Sequence, residues 1–286
     1  MDPKVIELYR AYLEDALDRR EFIRKLAVLA GSTAAACTLL SLLEGGQAQA
    51  AIVPKDDSRL HTEYVQYPGA TGQIRAYLAR HREEKKLPGV VVIHENRGLN
   101  DHIEDVARRT VLEGFLSLAP DALTAAGGTP EDPDKARTLI GQLDQPSTVK
   151  NFTAAVQYLK THPMSSGKVG VVGFCWGGAM ANQVAVNSPD LAAAVPYYGR
   201  QPKPEEVSKI EAPLLLHYAG EDEGINKGIP AFEEALKKAN VEYKVYMYEG
   251  AKHAFNNDQN AERYDKEAAR LAWQRTISFL KEKLKP

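Results

Sequence analysis

The chemistry in this chain starts from Cys175. It stands in Gly173-Phe174-Cys175-Trp176-Gly177, between an apolar β-branched run and a run compatible with a helix. A glycine two residues to either side of a thiol is the pattern of a tight strand-to-helix turn that presents a nucleophile. Side chains at the glycine positions would collide with the neighbouring strand and helix, and the nucleophile itself sits at strained backbone angles. The turn aims the Trp176 N–H at an incoming carbonyl oxygen. It also places the positive end of a helix beside the sulfur, which favours a thiolate. The plain alternative is a glycine-rich turn around an inert buried cysteine.

Two other residues could complete a site. Asp222 lies in Gly220-Glu221-Asp222-Glu223, and His253 in Lys252-His253-Ala254-Phe255, each just past a strand-like run. A thiolate attacks a carbonyl carbon to form a thioester. An imidazole takes and returns a proton near neutral pH, and a carboxylate on its other nitrogen fixes the tautomer. Taken singly, His253 could be a surface residue and Asp222 part of an acidic turn. Taken together, nucleophile, acid and histidine follow the chain order of the α/β-hydrolase fold. His94-Glu95-Asn96-Arg97-Gly98 ends another strand-like run. A loop there supplies the second oxyanion-hole N–H, and Asn96 is the candidate, paired with Trp176. Glu95 is either an ordinary strand-end carboxylate paired with Arg97 or a proton acceptor for the thiol.

These residues need a scaffold that brings strand ends together. The patterning predicts a hairpin over 63–67 and 73–79, then strands at 89–93, 115–119, 168–172, 191–196, 213–218 and 242–248. Helices are predicted at 101–113, capped by Asn100, and at 134–144, 147–162, 176–187, 230–239 and 262–283. Residues 51–62 read as a mobile lead-in. Strands alternating with helices mean a mostly parallel, doubly wound sheet covered on both faces, with sites beyond the carboxyl ends of the strands. One such domain is expected over 51–286.

The first fifty residues read differently. Arg19-Arg20-Glu21-Phe22-Ile23-Arg24-Lys25 is a twin-arginine pattern, followed by an apolar run over 26–43 and by Ala48-Gln49-Ala50, which has the form of a signal-peptidase site. The expectation is a leader over 1–50, read by the twin-arginine translocase, and a periplasmic protein that starts near Ala51. The alternatives are a helix over 3–25 packed on the domain, or an uncleaved leader tethering the protein to a membrane. A lipoprotein site at Cys37 fits less well, because Ala34-Ala35-Ala36 lacks the usual aliphatic residue. Removing the leader takes Cys37 and leaves Cys175 as the lone thiol, with no disulfide available to it.

A net charge of −2 gives no basic footprint for nucleic acid. No cluster of ligands suggests zinc or another metal, and no motif implies a cofactor. A small lactone or ester is the expected partner, met by a monomer.

Residues 63–283 resemble the dienelactone hydrolase family, whose members are carboxymethylenebutenolidase-like. Gly173-Phe174-Cys175-Trp176-Gly177-Gly178, Gly220-Glu221-Asp222 and Lys252-His253-Ala254-Phe255 match its three triad motifs, and His94-Glu95-Asn96-Arg97-Gly98 its oxyanion loop. The resemblance implies hydrolysis of an enol lactone through an acyl-cysteine, without metal or cofactor. It also implies that Glu95 hydrogen-bonds the resting thiol and takes its proton when substrate binds. The family holds its substrate carboxylate with two arginines, and neither is found here. Pro120-Asp121-Ala122-Leu123-Thr124-Ala125 and Asn256-Asn257-Asp258 stand in those regions. Arg97, Arg200 and Tyr198 are the candidates for substrate contacts. Alternatively, both arginines pair with nearby carboxylates such as Glu95, and the pocket takes neutral esters. A broad esterase or thioesterase on the same triad, a non-catalytic binding member and a thiol redox protein are the competing functions; the last lacks a resolving cysteine.

Overall fold

Val90-Val91-Val92-Ile93 is apolar at every position rather than at alternate ones, so it needs cover on both faces. In the computed structural model it lies within β3 (Leu87–Ile93), and all four side chains are fully buried. Val90 and Val92 join one core with Ile103, Val106, Ala272 and Leu280; Val91 and Ile93 join another with Phe152, Val184 and Phe232. The strand is the shared wall of two hydrophobic layers.

The structure describes residues 52–285 and, before them, residues 4, 5, 8, 19–32, 35 and 36. The chain divides into two units, Met1–Ala50 and Ala51–Pro286. In the first, helix α1 (Arg19–Ala30) buries Phe22 and Leu26, four residues apart on one face, and Glu21 pairs with Lys25 at 3.0 Å. The side chains of the twin arginines, Cys37 and Ala48-Gln49-Ala50 lie outside the described residues. No helix among the described residues is long and apolar enough to cross a membrane.

The second unit is built on an eight-stranded sheet in the order β1-β2-β4-β3-β5-β6-β7-β8. Its strands are β1 (Leu60–Gly69), β2 (Gly72–His81), β3, β4 (Leu116–Pro120), β5 (Ser165–Phe174), β6 (Ala193–Tyr197), β7 (Leu214–Glu221) and β8 (Tyr243–Lys252). The hairpin β1–β2 and the pair β2–β4 are antiparallel, and every later pair is parallel. Helices α2 (Asp101–Leu112) and α8 (Lys266–Lys283) supply apolar residues to one face. Helices α4 (Gln145–Thr161), α5 (Trp176–Asn187) and α7 (Ile229–Lys238) supply them to the other. Two shorter helices, α3 (Pro133–Gly141) and α6 (Glu223–Asn226), lie in connections after β4 and β7. This is the α/β-hydrolase fold.

The structure differs locally from the sequence expectations: β1 opens at Leu60 inside the expected lead-in, β5 spans Ser165–Phe174, and α6 was not expected. Strand β8 runs on to Lys252, because a register shift opposite Ala219 and Glu221 lets it keep pairing with β7. Helix α8 starts at Lys266, where the Asp265 side chain accepts from the Ala268 N–H at 2.9 Å and caps it. Residues 52–59 are not a loose lead-in. Asp105 on α2 accepts from the Ile52 and Val53 N–H groups at 3.1 and 2.8 Å, Arg108 Nε donates to the Val53 carbonyl at 2.8 Å, and the Val53 side chain is buried.

Candidate active site

The turn at the end of β5 is as tight as the sequence implies. A Cβ on Gly173 would stand 2.0 Å from the Gly177 carbonyl oxygen, and one on Gly177 would stand 2.4 Å from that of His94. Both neighbours are backbone and cannot yield. Between them Cys175 takes φ 56° and ψ −114°, a conformation that costs a side-chain-bearing residue about 1–3 kcal/mol. Two bonds hold it there: the Cys175 N–H donates to the Tyr197 carbonyl at 3.0 Å, and the Ala179 N–H donates to the Cys175 carbonyl at 3.1 Å.

The sheet carries the other two groups to this sulfur. His253 follows β8 and Asp222 follows β7, the adjacent strand. His253 Nε2 is 3.0 Å from Cys175 Sγ, and His253 Nδ1 is 2.5 Å from Asp222 Oδ2. An ionised carboxylate can only accept, so Nδ1 carries the proton, Nε2 is the acceptor, and the thiol donates to it. Asn226 donates from Nδ2 to the Ala219 carbonyl at 2.8 Å, steadying the acid's turn.

The thiol is kept protonated. Burial pushes the Cys175 thiol up to about 12, and the negative charges of Glu95 and Asp222 add to that. The Trp176 N–H, bonded to the sulfur, and the Arg263 charge oppose it without prevailing. The helix end that favours a thiolate is therefore outweighed by burial and two carboxylates.

Glu95 lies at the end of β3 and is buried, but its hydrogen bonds do not go to the thiol. Asn257 Nδ2 donates to Oε2 at 2.5 Å, and the Tyr198 hydroxyl lies 3.4 Å from Oε1. The bond from Glu95 to the resting thiol that the family resemblance implied is thus replaced by a bond from the thiol to His253. Glu95 acts on the sulfur through its charge. The reason is the neighbour: an amide donor at 257 satisfies the carboxylate better than a weak S–H donor can.

The candidate substrate contacts separate. Tyr198 is fully buried, at φ 37°, with its ring 5.1 Å from that of His253; it supports Glu95 and His253 rather than lining an open surface. Arg97 is partly exposed and faces Asp134 on α3 at 3.6 Å, so its carboxylate partner is Asp134 and not Glu95. Arg200 is exposed, and its carbonyl accepts from Asn182 Nδ2 at 3.0 Å. Asn96 and Arg97 are the central residues of a turn closed by the Gly98 N–H on the Glu95 carbonyl at 3.3 Å.

Several residues that shape the site were not singled out from the sequence. His94 is fully buried; its Nδ1 donates to the Glu95 carbonyl at 2.6 Å, and its Nε2 accepts from the Ala122 N–H at 3.2 Å. Burial lowers its pKa, and the ring stacks on Trp176 with centroids 5.3 Å apart. Asp121 accepts from the N–H and hydroxyl of Thr129 at 2.9 and 2.8 Å, and the Thr129 hydroxyl oxygen accepts from the Leu99 N–H at 2.9 Å. These bonds tie the loop after β4 to the loop holding Glu95 and Asn96. The available signal was position: His94 and Asp121 both lie at strand ends. No group of three or more potential metal ligands is gathered among the described residues.

A cysteine on a strained turn, a histidine on the sulfur and an aspartate on the histidine, all at the carboxyl ends of parallel strands, define a hydrolase of the α/β class. Comparison with known proteins narrows the class. The family model for the dienelactone hydrolase family matches residues 74–284. A protein of Saccharolobus solfataricus assigned as a carboxymethylenebutenolidase is 34% identical over 253 residues, covering 75% of this chain and 96% of its own. One of Escherichia coli with the same assignment is 30% identical, covering 81% and 90%. The crystal structure of a protein from Klebsiella pneumoniae assigned as a dienelactone hydrolase is 28% identical with a TM-score of 0.70, covering 77% of this chain and 97% of its own. This chain belongs to the dienelactone hydrolase family, and it is a hydrolase of esters or lactones.

Proposed function

We propose that the chain hydrolyses uncharged lactones or carboxylic esters through an acyl-cysteine, with His253 taking the thiol proton directly. The observation that carries this is the 3.0 Å contact from Cys175 Sγ to His253 Nε2, backed by Asp222 on Nδ1. As sulfur attacks the carbonyl carbon, its proton passes to Nε2, and Asp222 stabilises the imidazolium that forms. The oxyanion meets the N–H groups of Trp176 and Asn96. Collapse breaks the acyl C–O bond, and the leaving alkoxide takes the proton from His253; in a lactone it stays tethered. Water, deprotonated by His253, then attacks the thioester and returns the thiol.

The preference for uncharged substrates follows from the charges around the sulfur. Glu95 and Asp222 raise the thiol, the opposing Arg263 charge does not outweigh them, and Arg97 is turned to Asp134, so the net charge felt at the sulfur is negative. A substrate carboxylate would meet repulsion there, with Asn257 already engaged by Glu95. The test is a panel of neutral aryl esters and lactones with intact-mass analysis. Wild type should turn over and carry one acyl group on Cys175, and Cys175→Ala should do neither. Turnover by Cys175→Ala would overturn the mechanism.

The leader reading is proposed on sequence grounds. Arg19-Arg20, the apolar run over 26–43 and Ala48-Gln49-Ala50 support export by the twin-arginine translocase to the periplasm. Replacing both arginines by lysine should hold a reporter fusion in the cytoplasm. Unaltered export would return 3–25 to the structural-helix reading.

A further inference from the structure

Two adjacent residues past His253 send their side chains to two different elements. Asn257 accepts from the Gln259 N–H through Oδ1 at 3.0 Å, which fixes its amide so that Nδ2 faces Glu95. Asp258 is buried and turns the other way. Its Oδ1 accepts from Nδ1 of the buried His102 at 2.8 Å, and its Oδ2 pairs with Arg109; both are on α2. Helix α2 begins one residue after its cap Asn100, itself four residues beyond Asn96. The bonds of Asp258 therefore join the loop carrying His253 to the helix that leaves the oxyanion loop. Burial works against charge on Asp258, but its bonds and charge contacts with His102 and Arg109 hold its carboxyl below the usual range. Arg109 is gripped in turn by Asp105.

None of these groups touches the sulfur, and a buried ion cluster is in general weak support for stability. Its placement next to Asn257 is what gives it a consequence. On its N-terminal side the Asn257 backbone is held by the buried Phe255 and Asn256 and by its N–H on the Ala254 carbonyl at 3.0 Å; on its C-terminal side the buried link to α2 is Asp258, through His102 and Arg109.

We propose that Asp258 is a positioning residue of the active site: by clasping His102 and Arg109 it holds the Asn257 amide against Glu95, which keeps that carboxylate off the thiol and leaves Cys175 to His253. The turnover arm of its test rests on the acyl-cysteine reading; the thiol arm does not.

The experiment compares Asp258→Asn, Asp258→Ala, Asn257→Ala and the double Ala variant. Readouts are kcat and KM on a neutral aryl ester, the iodoacetamide alkylation rate of Cys175 at pH 8, and the thermal midpoint. A carboxylate freed toward the sulfur pushes the thiol further up, so Asn257→Ala and Asp258→Ala should both alkylate more slowly, by roughly fivefold or more. Both should lose roughly tenfold in kcat with KM within about threefold. Because Asp258 acts through Asn257, the double variant should be no worse than the worse single. Asp258→Asn keeps an acceptor for His102 and should fall between. Asp258→Ala with wild-type kcat and alkylation and only a lower midpoint would overturn the proposal, as would losses that multiply in the double variant. If Asp258→Ala does not fold, Asp258→Asn and Asn257→Ala decide the matter alone. A wild type that neither turns over nor acylates Cys175 would refute the acyl-cysteine reading, while the alkylation rates still judge Asp258.

Discussion

Cys175 Sγ and His253 Nε2 are 3.0 Å apart, so the thiol proton faces its acceptor before any substrate arrives. The sulfur does not ionise on its own, because burial and the charges of Glu95 and Asp222 raise it to about 12. Under the proposed mechanism proton transfer and attack are coupled, and a thiol held protonated should resist adventitious alkylation and oxidation.

The first consequence concerns labelling. Alkylation of Cys175 by iodoacetamide should be slow at pH 7 and should still be rising with pH at pH 9, rather than levelling off. Glu95→Gln removes the second-largest cause of the raised value, so it should label faster, by roughly fivefold to tenfold, since one pKa unit is tenfold in thiolate. Mass-spectrometric rate measurements check both. A variant that labels no faster than wild type would mean the Glu95 charge is not felt at the sulfur.

The elbow stores strain that a smaller residue would release. Cys175→Gly should be more stable than Cys175→Ala by about 1 kcal/mol in urea unfolding, because glycine accepts φ 56°, ψ −114°. Both variants should be inactive. Gly173→Ala, with a Cβ placed 2.0 Å from a backbone oxygen, should lose about 3 kcal/mol or more, or fail to fold.

Acid should destabilise the fold through its buried histidines. His217 is fully buried, facing the Tyr248 hydroxyl through Nδ1 and the Thr276 hydroxyl through Nε2. Burial, with Arg275 adding to it, lowers His217 to about 3. The unfolded chain takes up a proton near pH 6.5 that the folded chain refuses. Stability is thus complete above about pH 6.5 and falls as pH drops toward 3, at up to about 1.4 kcal/mol per pH unit for one such group. Burial of His94 lowers its pKa too and acts in the same direction. Urea titrations from pH 7 to pH 5, a window above most carboxylates, should show this loss. His217→Asn should flatten part of it; an equal slope in the variant would remove His217 as a cause.

Substrate charge is the fourth test. The ratio kcat/KM for a neutral lactone over a carboxylated one of similar size should exceed about tenfold, equivalent to 1.4 kcal/mol. Arg97→Ala should leave that ratio within about threefold, because the guanidinium is partly exposed and paired with Asp134. A carboxylated lactone preferred by wild type, with the preference lost in Arg97→Ala or Arg200→Ala, would restore those arginines as anchors.

Much of this molecule is written in short stretches of chain. The buried strands are runs of β-branched residues, the elbow is a five-residue pattern, and Asp222 and His253 follow strands in chain order. Each of these is a local property: the periodicity of apolar residues selects strand or helix, and steric crowding allows only glycine at 173 and 177. Strand-end position then gathers the residues, because parallel strands present their carboxyl ends on one edge.

What only the folded chain decided is which partner each polar group takes. Glu95 meets Asn257 from 162 residues away, and His102 meets Asp258 from 156. Arg97 turns to Asp134, and Ile52 and Val53 dock on Asp105 through backbone N–H groups that no side-chain pattern can announce. A thiol's ionisation is likewise set by how much water is excluded and by which charges stand nearby, and both depend on packing across the whole sheet. Side-chain identity determines what a residue can donate, accept or ionise, while tertiary packing determines which of those capacities has a partner within reach.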